Sequence, residues 1–222
     1  LLVALPERIE QVQGLLALCH RLKVPVVARG AGTGLSGGAL PLENGVLLVM
    51  ARFRRILEID PLGRFARVQP GVRNLAISQA AAPHGLYYAP DPSSQIACSI
   101  GGNVAENAGG VHCLKYGLTV HNLLQVDIVT LEGERLSLGS SALDSAGFDL
   151  LALFTGSEGL LGVVVEVTVR LLPRPPVAKV LLASFDDVES AGRAVADLIG
   201  AGIVPAGLEM MDKPMTAAVE DF

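Results

Sequence analysis

The sequence has 222 residues, half of them hydrophobic, and a formal net charge of −5. This length fits one large domain or one and a half ordinary ones, with enough apolar side chains for a sizeable core. It shows no basic stripe and no apolar run of about 18 residues or more, which argues against nucleic-acid binding and against a membrane-spanning helix. Glycine accounts for 25 residues, an excess that falls in three loops, at 30–38, 101–110 and 156–162. We expect these loops to approach one ligand closely.

The three cysteines, Cys19, Cys98 and Cys113, show no C-x-x-C pairing. They indicate free thiols in a reducing cytosol, and they are too few to hold an iron–sulfur cluster. The sequence therefore predicts a cytoplasmic protein. The adjacent His112 and Cys113 match no standard zinc spacing, and we expect no metal site here.

The first predicted elements are a helix and a buried strand. Pro6 stands at a first-turn position, and the apolar spacing after it predicts a helix. Val24 to Ala28 reads as a buried strand that leads into a glycine-rich loop. Further short strands are predicted at Val46–Met50, Ile56–Ile59 and Phe65–Gln69.

The loop from Arg29 to Pro41, RGAGTGLSGGALP, is the strongest local signal. A strand that leads into such a loop brings bare backbone N–H groups against a phosphate. Gly32, Gly34 and Gly37 fit G-x-G-x-x-G, but that fingerprint requires a helix at its last glycine. Pro41 stands where that helix would run, at a cost of roughly 3 kcal/mol, and another strand follows. The strand–loop–strand order therefore argues against a Rossmann fold, and no Gly-Lys-Ser/Thr supports a Walker A loop.

The middle of the chain alternates short helices and strands. Asn74 is placed to cap a helix over Leu75–Ala82, and Glu132-Gly133-Glu134 reads as a hairpin turn. The other predicted elements are helices at Ile100–Ala108 and Phe148–Phe154, and strands at Leu123–Leu131, Arg135–Leu138 and Val163–Leu172.

A Pro-Arg-Pro-Pro run at Pro173–Pro176 predicts a domain boundary. We expect domains at 1–173 and 177–222, the second cut off after its opening elements. The chain starts at Leu1 without Met and stops in a polar, helix-like stretch, so we expect an excerpt of a longer protein. The elements predicted beyond the boundary are strands at Ala178–Phe185 and Val204–Glu209, and helices at Val188–Ile199 and Met210–Phe222.

Three glycine-rich segments together carry a family resemblance. They are RGAGTGLSGG from Arg29, PDPSSQIACSIGGNVAENAGG over Pro90–Gly110, and TGSEGLLGVVVEVTVRLLP over Thr155–Pro173. In this order they resemble the FAD-linked oxidases of the vanillyl-alcohol oxidase and p-cresol methylhydroxylase superfamily, and within it the FAD-binding subunits of glycolate oxidases and the D-lactate dehydrogenases. The resemblance extends into LEMMDKPM from Leu208. It implies an α+β fold: a PCMH-type FAD-binding domain of two α/β subdomains, followed by the start of an α+β cap domain for the substrate.

The resemblance implies FAD contacts in all three segments. The first would wrap the pyrophosphate, the second would line the isoalloxazine and ribityl part, and the third would close over the rest. The implied residues are Arg29, Gly30, Ala31, Gly32, Thr33, Gly34, Leu35 and Ser36; Pro90, Asp91, Ser99, Gly102, Asn107, Gly109 and Gly110; and Glu158, Gly159, Gly162, Val163 and Val164.

Simpler structural roles remain open at several of these positions. Asp91 between two prolines could fix a turn, Asn107 could cap a helix, and Glu158 could be a surface residue at a helix end. Arg29 could pair with a carboxylate instead of reaching phosphate.

In some relatives a histidine bonded to the flavin occupies the place of Thr33, and a second one falls near Asn103. Because this sequence has no histidine at either position, the resemblance implies FAD that is bound without a covalent bond.

The resemblance implies oxidation of a small 2-hydroxy acid, of glycolate or D-lactate type, to the 2-oxo acid. It also implies partner subunits, one with iron–sulfur clusters and a second of flavin type, that pass electrons toward quinone and associate peripherally with the inner face of the membrane. In relatives the base and a histidine-rich metal site lie in the second domain, so no catalytic or metal-binding residue is expected here. The alternatives are a flavin-binding subunit without turnover and a different reaction on this fold.

Overall fold

The computed structural model describes residues 1–140 and 147–221. The first lobe contains a small parallel sheet in the strand order β1-β3-β2 and one helix. Its elements are β1 (Leu2–Ala4), α1 (Ile9–Leu22), β2 (Val26–Arg29) and β3 (Val46–Val49).

Helix α1 forms as its apolar spacing predicts. Val12, Leu16 and Cys19 are buried on one face, the spacing that places side chains on the same side of an α-helix. The helix ends at Lys23, which takes a left-handed conformation, and its N–H donates to the carbonyls of Cys19 and His20. The chain then turns directly into β2.

The second lobe is a five-stranded antiparallel sheet, in the order β4-β5-β9-β7-β8, with helices packed on one face and a two-stranded ribbon of β6 and β10. Apolar and polar side chains alternate in β8 and in the second half of β9, as expected where only one face is covered. Val163, Val164 and Val165 at the start of β9 are all buried, because the first lobe packs against the other face there. Its elements are β4 (Ile56–Asp60), β5 (Phe65–Val68), α2 (Asn74–Ala81), β6 (Leu86–Tyr87), α3 (Ile100–Glu106), α4 (Cys113–Tyr116), β7 (Leu123–Val129), β8 (Arg135–Gly139), α5 (Leu150–Phe154), β9 (Val163–Arg170) and β10 (Leu172–Pro173).

The polar face of this sheet carries ion pairs across neighbouring strands. Arg67 on β5 pairs with Glu58 on β4 and with Glu166 on β9. Asp127 on β7 pairs with Arg135 on β8. Burial acts to raise the pKa of the Asp127 carboxyl, but hydrogen bonds from Arg135 and neighbouring polar side chains outweigh it and hold that pKa below its usual range.

The lobes share a hydrophobic cluster. Val12, Leu48 and Phe53 pack with Val129 and Val165 at the ends of β7 and β9. Because this contact is apolar and buried, it holds β2 and the start of β9 together across the two lobes. The predicted α+β fold with two lobes is confirmed.

The residues after β10 form two helices, α6 (Val188–Gly200) and α7 (Lys213–Glu220). Both helices were predicted, although Phe222 lies outside the described residues. The strands predicted at 178–185 and 204–209 are wrong, since no strand lies in either range of the described structure. A strand requires a neighbour to satisfy its backbone groups, and the side chains of Val180 and Leu182 are both 96% exposed.

Candidate functional site

A cleft of about 570 Å³ lies where the three glycine-rich segments meet. Its volume is in the range of cofactor sites, roughly 300–1,000 Å³. Most of the predicted FAD contacts line it, namely Arg29, Gly30, Ala31, Gly32, Thr33, Gly34, Leu35, Ser99, Gly102, Glu158, Gly159, Gly162, Val163 and Val164.

The loop after β2 forms one wall of the cleft. It leads into β3 without a helix, so the argument against a Rossmann fold is confirmed. Gly32 and Gly37 have φ of +72° and +81°, values that favour glycine. None of the hydrogen bonds between described residues uses the backbone N–H groups of residues 31–36. These amides are free to bind an anion, as a phosphate cradle requires.

The second segment approaches this loop through Ser99 and α3. A Cβ at Gly30 would lie 2.1 Å from Ser99 Oγ, so any side chain there would displace the hydroxyl of Ser99. Ser99 caps α3, and its side chain accepts a hydrogen bond from Gly102 N at 3.4 Å. The start of α3 therefore lies against the loop.

The third segment closes the far end of α3. Gly156 N donates to Val104 O at 2.8 Å, and Glu158 N donates to Ala105 O at 2.9 Å. The bond from Glu158 N gives a partner to the Ala105 carbonyl, in the last turn of the helix, whereas Val104 O also accepts from Asn107 N at 3.3 Å. Glu158 adopts φ of +54° to make this contact, so it combines a capping backbone with a side chain that lines the cleft.

Three charged side chains line the cleft, namely Arg29, Glu106 and Glu158. Arg29 forms no ion pair with any described residue, which leaves its guanidinium free for a bound anion. A Cβ at Gly32 would lie 2.8 Å from Arg29 Nε, so this side chain lies against the loop. The arrangement offers amides and one cation to a pyrophosphate.

A buried amide pair fixes the second segment. Asn74 Nδ2 donates to Pro90 O and to Asn103 Oδ1, both at 3.0 Å. The prediction that Asn74 caps α2 is wrong, because Arg73 occupies that position and Asn74 is the first helical residue. Its side chain instead connects the Pro90 turn to α3. An asparagine directly before an apolar run is compatible with either role, so the sequence alone does not distinguish a helix cap from the first residue of the helix.

Some predicted residues are not among those that line the cleft: Ser36, Pro90, Asp91, Asn107, Gly109 and Gly110. Asp91 instead lies beside His112, with Oδ2 and Nδ1 2.6 Å apart. Asn107 ends α3 in a left-handed conformation, and its side chain accepts from Val120 N. Their roles as FAD contacts stay predictions.

Other residues line the cleft without having been predicted to. Pro92, Ser93 and Ser94 extend the Pro90 turn into it, and Cys98 and Glu106 reach it from the two ends of α3. The serines stand inside the quoted PDPSS motif, which could have identified them. Glu106 carries no such signal, because only its helical position turns it toward the loop.

No group of three or more His, Cys, Asp or Glu side chains in the described ranges is arranged to hold a metal ion. No helix within those ranges is long and apolar enough to cross a bilayer.

A two-lobed α+β fold with an amide-lined cleft between its lobes defines a class of flavoproteins. The loop amides, the left-handed glycines and the free Arg29 fit the diphosphate of a dinucleotide. The chain belongs to the FAD binding domain family, which matches residues 1–139, and FAD is its cofactor. Residues 174–222 match a second family, the C-terminal domain of FAD linked oxidases.

The similarity to several bacterial proteins covers essentially the whole chain. The chain is 78% identical, over all of its length and 44% of the other protein, to the glycolate oxidase subunit GlcD of Escherichia coli K12. Identity to the GlcD subunit of Bacillus subtilis is 42%, over 99% of this chain and 47% of that protein. Identity to a D-lactate dehydrogenase of Anaerostipes hadrus is 35%, over 96% and 45%. The chain thus spans about half the length of these relatives.

A solved structure of alkyldihydroxyacetonephosphate synthase resembles the fold. The TM-score is 0.79 at 23% identity, over 92% of this chain and 38% of that one. At this identity the likeness shows the shared fold alone.

Proposed function

We propose that the full-length protein oxidises a small 2-hydroxy acid, of glycolate or D-lactate type, to the 2-oxo acid with FAD. The observation that carries the proposal is the amide-lined cleft, whose free backbone donors and single unpaired arginine suit a flavin dinucleotide. The names of the similar bacterial proteins support the substrate class.

The described residues would bind and orient the cofactor. Bound FAD would supply the chemistry by accepting the substrate's α-hydrogen as hydride. The N–H groups of residues 31–36 and the Arg29 guanidinium would hold the pyrophosphate. Ser99 and Gly102 would lie along the ribityl part, and Val163 and Val164 would cover the remaining cofactor. We also propose FAD contacts for the predicted residues outside the cleft.

We also propose a domain boundary at residue 173, a location for the protein in the cell and a set of partner subunits. The second family match begins at residue 174, which supports a boundary at the proline run. We propose a cytoplasmic protein, because its three thiols are free. We further propose an iron–sulfur subunit and a second flavin-type subunit as partners that accept its electrons and provide any contact with the membrane.

The substrate class can be tested with the flavin absorbance of the full-length protein. Without oxygen, glycolate, D-lactate and D-2-hydroxyglutarate are added in turn. We expect at least one to bleach the oxidised flavin band, because hydride transfer reduces the ring. L-Lactate is the matched control, and we expect it to leave the band unchanged. If none bleaches a flavin that dithionite still reduces, the alternative of a flavin-binding subunit without turnover is favoured.

We also propose that the flavin is held without a covalent bond. Thr33 in the loop occupies the place, and Asn103 in α3 lies near the place, where some relatives carry the bonded histidine, so neither position offers an imidazole to the flavin. Precipitation of the protein with acid should therefore release all of the flavin into the supernatant. Yellow colour that stays with the denatured pellet would contradict this proposal.

A further inference from the structure

A second groove, of about 430 Å³, lies beside the FAD cleft. We call it the arginine groove, since Arg54 and Arg73 line it together with small or apolar residues such as Ile56 and Val72. Gly30, Ala31 and Ser99 line both cavities. The two cavities are therefore neighbours on either side of the contact between Gly30 and Ser99.

The charge of the arginine groove is not balanced within the chain. No carboxylate lines it, and none of the ion pairs between described residues involves Arg54 or Arg73. Four other arginines of the described residues are paired, among them Arg52 with Glu7 and Arg135 with Asp127. What sets Arg54 and Arg73 apart is that they line one groove together. Two free guanidinium groups on one groove are notable in a chain with a net charge of −5.

Backbone contacts hold the two arginines in a fixed relation. Gly71 N donates to Phe53 O at 2.7 Å, immediately before Arg54. A Cβ at Gly71 would lie 2.7 Å from that same oxygen, so the two segments touch directly. Arg73 in turn forms a β-bridge with Ser99. The backbone of the groove is therefore preformed, and a ligand would have to order only the two exposed arginine side chains.

We propose that the arginine groove binds a small organic dianion with two carboxylates, separate from FAD. A guanidinium group offers a planar fork that matches one carboxylate, so two such groups match two. The apolar residues Ile56 and Val72 suit a short hydrocarbon body between the charges. The volume of the groove fits a small molecule. Inorganic phosphate shares the charge but has no body to cover these side chains.

Calorimetric titration of the FAD-loaded, full-length protein tests the site, with succinate as the probe and neutral succinamide as its uncharged analogue. We expect succinate to bind and succinamide to give no heat. Arg54→Gln and Arg73→Gln should each weaken succinate binding roughly tenfold, as expected for loss of a charge-assisted hydrogen bond. Arg55→Gln is the matched control, because Arg55 is exposed next to Arg54 but does not line the groove. We expect a change of about twofold or less for this variant.

Several results would overturn the proposal: no succinate binding, equal weakening by Arg55→Gln, or phosphate binding as tight as succinate binding. Loss of flavin from Arg54→Gln or Arg73→Gln would also overturn it, since the groove would then belong to the FAD site. Flavin content is read from absorbance, independently of any 2-hydroxy acid oxidation. Failure of the proposed function would therefore not be confused with failure of this site.

Discussion

Gly32→Val should empty the FAD cleft. Gly32 has φ of +72°, a conformation that a β-branched residue rarely adopts, and its strain costs roughly 1–3 kcal/mol. A Cβ there would also lie 2.8 Å from Arg29 Nε and Nη2, so the guanidinium would have to leave its place beside the loop. Together these effects should lower FAD affinity at least about tenfold. The measurement is the ratio of flavin absorbance to protein after gel filtration, and the dissociation constant of added FAD.

Gly85→Val is the matched control for backbone strain. Gly85 has φ of +68°, and no atom would lie within 4 Å of a Cβ built there. Both variants should lose similar stability, but only Gly32→Val should lose flavin. An FAD dissociation constant of Gly32→Val equal to that of Gly85→Val would show that the loop does not bind the pyrophosphate.

The loop and its strands were predictable because their signals are local. Pro41 excludes a helix wherever the rest of the chain lies, so the strand–loop–strand order follows from a few adjacent residues. The conformations of the loop glycines were not predictable in the same way, because only Gly32 and Gly37 of the five are left-handed and their spacing does not distinguish them from Gly34. Most of the predicted contacts in this segment nevertheless line the cleft.

The contacts that were not predictable depend on residues far apart in the chain. Asn74 meets Asn103 across 29 positions, and Asp91 meets His112 across 21. A local pattern cannot distinguish such a partner from a helix cap or a turn. The same reason explains the wrong strand at 178–185, because an apolar run forms a strand only where a neighbouring strand pairs with it.

Family resemblance and the structure give different information about the site. Resemblance implied which three segments meet, but not how they are fixed. The structure adds the bonds from residues 156–158 to the end of α3 and the contact between Gly30 and Ser99. It also separates residues that line the cleft from those, such as Gly110 against Asp91, that pack beside it. Substitutions at the two kinds of position should affect FAD differently.

Phe53→Ala should cause the largest loss of stability. Phe53 is only 1% exposed and lies in the cluster that joins the two lobes. Removing a buried phenylalanine ring costs about 3–5 kcal/mol, because the transfer free energy is lost and a cavity remains. Urea unfolding of the full-length, FAD-free protein, with each variant compared at the same protein concentration, measures the change.

Phe148→Ala is the matched control, because Phe148 is 91% exposed and its loss should change stability by about 0.5 kcal/mol or less. Met50 lies in the same cluster as Phe53 and also lines the FAD cleft, so a cavity at Phe53 should disturb the cleft wall. We therefore expect saturating FAD to stabilise Phe53→Ala less than it stabilises Phe148→Ala, since stabilisation by a ligand depends on its affinity. Equal unfolding midpoints for the two variants would mean that the cluster does not hold the lobes together. Equal stabilisation by FAD would mean that the cleft forms independently of it.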